Sequence, residues 1–143
     1  MTVIFSRKCE LGLQAVLYLS AQKKGKFFSA TEIAKQIDKQ KEFVSKVLQQ
    51  LTSKGIVGSQ KGKYGGFYLA MDPSDIRLID IVVAIDGHEV FENCVLGFKG
   101  CSVKTPCPVH EKWGKLRTET EKMLSSETLA ELRDKTKEKL KDI

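Results

Sequence analysis

The 143-residue sequence has no long hydrophobic run, and this absence excludes membrane-spanning proteins. No apolar stretch approaches the roughly 18 residues that a membrane-spanning helix needs. The N-terminal segment is interrupted by Arg7, Lys8 and Glu10 and lacks the small-residue cleavage site of a secretory signal. We therefore expect a cytoplasmic protein with no membrane partner. The length excludes a large multidomain enzyme and fits one domain with an appended helical extension.

Acidic residues are scarce in the first half of the chain. Residues 1–70 carry 12 Lys or Arg but only 4 Asp or Glu, whereas residues 71–143 carry 12 and 14. The formal net charge of +6 therefore arises entirely from the first half. A basic surface attracts polyanions, most often nucleic acid, although a solvated lysine-rich face would have the same composition.

Sequence motifs of catalysis are also missing. There is no phosphate-cradling glycine motif, no general base beside a thiol and no alternating pattern of helices and strands. We therefore expect that the protein is not an enzyme. A redox enzyme with Cys94 or Cys101 as nucleophile is the weaker alternative.

Apolar periodicity predicts three helices and a hairpin in the basic half. The first helix runs from Ser6 to about Gln22, and a capping box formed by Ser29 and Glu32 begins the second. Asp38 is expected to cap a third helix over residues 39–54. Two strands follow, at 56–60 and 67–70, joined by a glycine-rich basic turn. This order is typical of a winged helix-turn-helix, whose third helix enters the major groove of DNA.

The second half is predicted to be helical around an irregular loop. A helix is expected over residues 77–85, and another at about 108–124 whose apolar residues recur at steps of four and three. That seam, which favours a partner helix, comprises Val109, Trp113, Leu116, Thr120 and Met123. A last helix is expected over residues 127–140.

The predicted fold class is mainly α with a small β-hairpin wing, a winged helix-turn-helix plus C-terminal dimerisation helices. The predicted domains are 1–75 for DNA binding, 76–107 for a connecting helix and loop, and 108–143 for dimerisation and the C-terminal helix.

The irregular loop contains three of the four cysteines in the pattern C-x6-C-x5-C-x2-H, formed by Cys94, Cys101, Cys107 and His110. Thiolates on a Gly- and Pro-containing loop favour a soft metal, either zinc or an iron-sulfur cluster. The two long spacings differ from the short C-x2-C knuckles of structural zinc sites and favour the larger cluster. Redox thiols are the alternative. Cys9, on the first helix, is expected to be a small buried hydrophobe.

Several segments together resemble the IscR/NsrR-type (Rrf) family of winged helix-turn-helix iron-sulfur transcription regulators. In chain order they are SRKCELGLQAVLYLS, EIA after the capping box, FVSKVLQQLTSKGIV, KGKYGGFYLA, DIVVAIDG and the three-cysteine loop with its Trp-containing helix. The resemblance implies a homodimer that binds double-stranded DNA at a palindromic operator and carries an iron-sulfur cluster.

By this resemblance, Cys94, Cys101 and Cys107 match the three cluster cysteines of the family. The fourth ligand would be His110 for a 2Fe-2S cluster, or Glu10 from the partner subunit's first helix for a 4Fe-4S cluster. The residues leave both open and add Cys9 of the first helix as a further candidate, with a slight preference for 4Fe-4S and Glu10, because the first helix belongs to the DNA-binding half.

The function expected from the sequence is a transcription regulator, a repressor, that senses nitric oxide, redox state or iron-sulfur supply. A zinc-stabilised or cluster-free winged-helix regulator or interaction module is the alternative. Gln and Ser can contact base edges, while Lys mostly contacts phosphate. The residues expected to touch DNA are Arg7, Lys39, Gln40, Lys41, Ser45, Lys46, Gln49, Lys61, Lys63 and Tyr64.

Overall fold

The helices and strands follow the order of a winged helix-turn-helix, with three more helices after the wing. The computed structural model describes residues 5–99 and 104–136. Its helices are α1 (Arg7–Ser20), α2 (Ala30–Ile37), α3 (Lys41–Ser53), α4 (Leu78–Asp86), α5 (His110–Ser126) and α6 (Leu129–Lys135), with short 3-10 helices at Pro73–Asp75 and His88–Phe91. Its strands are β1 (Val57–Gln60) and β2 (Gly66–Leu69). The predicted fold class, mainly helical with a two-stranded hairpin, is confirmed.

Local sequence signals place the first two helices. The Ser6 hydroxyl accepts a hydrogen bond from the Cys9 amide at 3.1 Å and caps the start of α1. At α2 both bonds of the predicted capping box are present: the Glu32 amide donates to the Ser29 hydroxyl, and the Ser29 amide donates to the Glu32 carboxylate. Both caps join residues three apart, and this short range is why the sequence could predict the capping box of α2.

The turn between α2 and α3 differs from the prediction. Asp38 does not cap α3; it ends α2 in the left-handed conformation, with φ 54° and ψ 54°. The amide of Lys39 then donates to the Ala34 carbonyl at 2.9 Å, the bond that closes many helix C-termini. Helix α3 begins at Lys41 after Gln40, which makes no side-chain capping bond. Aspartate suits both a helix start and a left-handed turn, so its local preference did not distinguish the two.

The wing is an antiparallel hairpin in which Val57 pairs with Leu69 and Gln60 with Gly66. Phe28, just before α2, pairs with Phe67 through two backbone hydrogen bonds of 3.0 and 2.7 Å and so attaches the wing to the helices. Gly66 has φ 149°, and a Cβ there would lie 2.7 Å from the Phe28 carbonyl. The glycine is therefore required by this close approach of two backbones.

Helix α4 joins the second half of the chain to the DNA-binding half by packing against α1 and α3. The Gln50 side chain of α3 donates to the carbonyls of Ala84 and Ile85, each at 3.1 Å. These carbonyls lie in the last turn of α4, where backbone carbonyls have no hydrogen-bond donor within the helix. Ile81 and Val82 of α4 are buried in the core with residues of α1 and α3. The positions of α3 and α4 are thus directly linked.

The chain returns to the core after α5. Leu124 and Leu129 are buried, and the Leu129 amide donates to the Ile76 carbonyl at 2.7 Å. Helix α6 packs against α1, and the predicted helix over 127–140 is present as α6 in its described part, while its end lies outside the described residues. The predicted domain boundaries at 75/76 and 107/108 stay predictions. No helix within the described residues is long and apolar enough to cross a membrane.

The crossing of α1 and α4 gives a first test of the packing. A Cβ at Gly12 would overlap the Ile85 Cδ1 methyl and lie 3.4 Å from Val47 Cγ1. We expect Gly12→Ala to lower the free energy of unfolding by up to about 2 kcal/mol, because an overpacking cost of about 1–3 kcal/mol is partly offset by the roughly 1 kcal/mol that alanine gains in helix propensity. Urea denaturation would measure it.

The matched control removes the overlapping atom. Ile85→Val deletes Cδ1 and alone should cost about 0.5–1.5 kcal/mol. In the Gly12→Ala background it should instead recover stability, giving a favourable coupling energy in the double-mutant cycle. Strictly additive effects would contradict the proposed overlap.

Candidate nucleic-acid interface and cysteine site

Helix α3 is buried on one side and open on the other. Its inner residues Val44, Val47, Leu48 and Leu51 are in the core. Lys41, Lys46 and Gln49 are exposed and Ser45 is half-buried, while Lys39 and Gln40 are exposed just before the helix begins. The Gln49 amide nitrogen lies 3.4 Å from the Ser45 hydroxyl, so the two polar side chains adjoin on the helix surface. The structure thus leaves the predicted base- and phosphate-contacting residues accessible.

A groove lies between the beginnings of α1 and α3. Arg7 and Glu10 line it from α1, and Asp38, Lys39 and Gln40 line it from the turn before α3. Glu10, the candidate cluster ligand, is therefore placed beside candidate DNA-contacting residues, and neither Cys94 nor Cys107 lines this groove. Within one protomer, Glu10 and the two described loop cysteines therefore do not line a common groove.

The wing tip presents the other predicted contacts. Lys61, Lys63 and Tyr64 are exposed, and the Lys63 ammonium lies 5.7 Å from the centre of the Tyr64 ring. That distance is within the range of a cation–π contact. The wing tip therefore carries two lysine charges available for phosphate, one of which, Lys63, lies against the Tyr64 ring.

The cysteine loop brings together two of the predicted ligands. The Sγ atoms of Cys94 and Cys107 are 3.4 Å apart, and both residues are half-buried. Cys101 lies outside the described residues, so its predicted role has no structural counterpart here. His110 begins α5, and its amide donates to the Cys107 carbonyl at 3.1 Å. Among the described residues, no three His, Cys, Asp or Glu side chains form a group that could hold a metal ion.

The geometry of the thiol pair can be compared with that of a metal site. Two sulfurs on one tetrahedral metal ion are about 3.8 Å apart, because metal–sulfur bonds are about 2.3 Å long. A disulfide is much shorter, about 2.0 Å. The observed 3.4 Å is longer than a disulfide and about 0.4 Å shorter than the metal geometry, so a small movement would let Cys94 and Cys107 hold the same metal or iron atom.

Two side chains of α5 hold the start of the loop, a feature that the sequence analysis missed. The Trp113 indole nitrogen donates to the Asn93 carbonyl at 2.9 Å, and an Arg117 guanidinium nitrogen lies 3.5 Å from the same oxygen. A half-buried tryptophan needs an acceptor for its indole N–H, so the sequence could have predicted that Trp113 makes a hydrogen bond. It could not have predicted that the acceptor is the Asn93 carbonyl. Cys94 is thus fixed next to a carbonyl anchored to α5.

Cys9 is a structural residue, as predicted. It is completely buried, and burial raises the pKa of its thiol to about 12, with smaller contributions from the charges of Asp86 and Glu10. Asp86 accepts hydrogen bonds from the Ser6 amide and hydroxyl and so ties the end of α4 to the start of α1. A thiol held protonated in this way is a poor nucleophile and metal ligand.

Known proteins match this chain over nearly its whole length. The Rrf2 family model, described as an iron-dependent transcriptional regulator, matches residues 5–135. A helix-turn-helix-type transcriptional regulator of Aquifex aeolicus is 33% identical over 132 residues, which cover 91% of both chains. A similar regulator of Haemophilus influenzae is 27% identical over 128 residues, covering 90% of this chain and 85% of the relative.

Two solved structures have the same fold. T. potens IscR is 28% identical, with a TM-score of 0.69 and coverage of 90% of this chain and 85% of its own. CymR, the global cysteine regulator of B. subtilis, has a TM-score of 0.76 and covers 92% of this chain and 97% of its own. CymR is 23% identical, so its likeness shows the fold alone. With the family match and the winged helix-turn-helix, these findings establish that the chain belongs to the Rrf2 family of transcriptional regulators and is a DNA-binding regulator rather than an enzyme.

Proposed function

We propose that this Rrf2 regulator is a homodimeric repressor that binds a palindromic operator and senses nitric oxide, redox state or iron-sulfur supply through a cluster on the loop of residues 94–110. The observation that carries the proposal is the 3.4 Å separation of the Cys94 and Cys107 sulfurs, from which a small movement would place both on one iron. The iron-dependent description of the family agrees with it.

The same distance bears on the type of cluster. In a 2Fe-2S cluster each iron takes two protein ligands, whereas in a 4Fe-4S cluster each iron takes one. Sulfurs on different irons are farther apart than sulfurs on the same iron. The thiol pair therefore supports the 2Fe-2S alternative, with Cys94, Cys101, Cys107 and His110 as ligands, over the 4Fe-4S cluster with Glu10 that the sequence slightly favoured.

A bound cluster would supply iron that reacts with nitric oxide or oxidants. Contacts within the chain would then link the state of the cluster to the affinity for DNA. Asn93 and Cys107 attach the loop to the start of α5. The loop follows α4 through the short helix at His88–Phe91, and Gln50 attaches α4 to α3. The loop and the DNA-contacting helix are thus in one connected set of elements. A ligand that prefers one arrangement of this set shifts DNA affinity by its differential binding free energy and no more.

Analysis of iron and acid-labile sulfide in protein purified without oxygen tests the sensor directly. Iron-sulfur protein is coloured, whereas a zinc-bound or metal-free chain is colourless. Zinc without iron would overturn the cluster proposal and favour the zinc-stabilised regulator.

DNA binding by α3 and the wing predicts a specific dependence on salt. Each phosphate contact releases a condensed counterion and adds about one unit to the slope of log affinity against log salt. We expect Lys46→Ala and Lys63→Ala each to reduce that slope by about one unit. Fluorescence anisotropy with a duplex selected from random sequence by the wild type would measure it.

The control for these variants is Lys135→Ala, which removes the same charge from α6, where Lys135 pairs with Glu127. Its slope should equal that of the wild type. Binding independent of salt, or equal slopes in all three variants and the wild type, would contradict the proposed interface.

A further inference from the structure

The Cys94 and Cys107 sulfurs are close enough to react with each other. A hydrogen bond joins the two thiols at 3.4 Å across 13 residues of chain. A disulfide is about 2.0 Å long, so the sulfurs need to approach by about 1.4 Å to form one. This is a small movement for side chains on a loop.

Both ends of the loop are held in the position that keeps the sulfurs together. At one end the Trp113 indole binds the carbonyl of Asn93, next to Cys94. At the other end the His110 amide binds the carbonyl of Cys107 itself. Pro106 and Pro108 flank Cys107 and restrict its backbone further. Hydrogen bonds to α5 therefore fix the backbone beside both cysteines and keep the two sulfurs close together.

The described residues between Cys94 and Cys107 do not oppose closure. In the described parts of the loop, residues 95–99 and 104–106 are all exposed. None of them belongs to the core, so their movement uncovers no buried apolar surface. Gly97 has φ 78°, a conformation that only glycine adopts readily, and its amide donates to the Cys94 carbonyl at 3.0 Å. A turn thus directly follows Cys94.

We propose that Cys94 and Cys107 form a reversible intrachain disulfide in the cluster-free protein, with a peroxide as the oxidant. One sulfur attacks a peroxide oxygen, the O–O bond breaks and water leaves, giving a sulfenic acid. The second sulfur then attacks that sulfur, the S–S bond forms and a second water leaves. Two thiols and one hydrogen peroxide thus become one disulfide and two waters. A dithiol reductant reverses the reaction by thiol–disulfide exchange.

The disulfide excludes the cluster, because each uses the same two sulfurs. The inference therefore extends the proposed function: a chain that has lost its cluster to an oxidant does not reload until it is reduced. It concerns the cluster-free chain, so it stands or falls separately from the cluster itself.

Peptide mapping of the full-length chain tests the pairing, because trypsin separates the three loop cysteines. Cleavage after Arg77, Lys99, Lys104 and Lys112 places Cys94 in peptide 78–99, Cys101 in 100–104 and Cys107 in 105–112. Reduced, cluster-free protein is treated with stoichiometric hydrogen peroxide, alkylated and digested. We expect peptides 78–99 and 105–112 joined, two hydrogens lighter than their sum, and separated again by a dithiol.

Three variants make the result decisive. Cys94→Ser and Cys107→Ser should abolish the linked peptide, and Cys101→Ser should retain it. Cys9, buried with its thiol pKa raised to about 12, should be alkylated only after unfolding and reports that the fold is intact.

Three outcomes overturn the proposal: a link to peptide 100–104, a link between two chains on non-reducing electrophoresis, or overoxidised cysteines without any link. Iron and sulfide analysis of the reconstituted wild type is measured in parallel. A missing link in a chain that still loads a cluster overturns the disulfide alone, whereas a link in a chain that loads none overturns only the cluster.

Discussion

Leu116→Glu combined with Met123→Glu is expected to convert the proposed dimer to a monomer and to weaken operator binding by about 10²- to 10⁴-fold, the gain typical of two linked sites. In the single protomer these side chains are 60% and 58% exposed, although both are apolar. They are seven residues apart on α5 and so share one face of the helix. Two buried carboxylates at a helix–helix seam would be unpaired and costly.

Light scattering at micromolar concentration would measure the mass, and anisotropy with the selected duplex would measure the affinity. Thr118→Glu is the matched control, because Thr118 is exposed on the opposite face of α5 and gains the same charge. It should leave the dimer and its DNA affinity unchanged. A wild type that is monomeric at micromolar concentration would contradict both the dimer and the palindromic operator.

The seam on α5 shows what periodicity can and cannot predict. The repeating apolar residues predict the helix, which the structure places at His110–Ser126. Periodicity does not say which partner covers them. Leu124, one residue beyond Met123, is 2% exposed because it packs into the protomer's own core, and Trp113 is used to hold Asn93. Leu116 and Met123 keep the apolar surface that a second copy would cover.

In other parts of the chain too, the sequence could predict features formed by neighbouring residues but not contacts between distant ones. The capping box at Ser29 involves residues three apart, so the sequence could predict it in full. Asp38 was predicted wrongly because aspartate favours two local structures, and the path of the turn selected between them. The contact of Cys94 with Cys107 spans an irregular loop without periodicity. Spacing suggested a shared ligand, whereas the folded loop shows that the sulfurs of Cys94 and Cys107 adjoin.

The ligands of the proposed cluster give the last prediction. After reconstitution with iron and sulfide without oxygen, Cys94→Ser and Cys107→Ser should each lose the visible absorption of the wild type, because each removes a sulfur of the adjoining pair. His110→Ala should shift the absorption and speed cluster loss by at least about tenfold, since even supporting contacts to metal ligands have effects of that size. Glu10→Ala should leave the spectrum unchanged.

The chain provides a control for each ligand type. His88 is the other of the two histidines and is exposed, and Cys9 is buried beside Ser6 and Asp86. His88→Ala and Cys9→Ala should therefore retain the wild-type spectrum. The reverse result, a spectrum lost with Glu10→Ala and kept with His110→Ala, would contradict the 2Fe-2S assignment and favour 4Fe-4S. Glu10 would then have to reach the cluster from the partner subunit, because in its own protomer it lines the groove of Arg7 and Lys39. That outcome would couple cluster and DNA across the dimer, and the monomeric α5 variant would then lose the native spectrum as well.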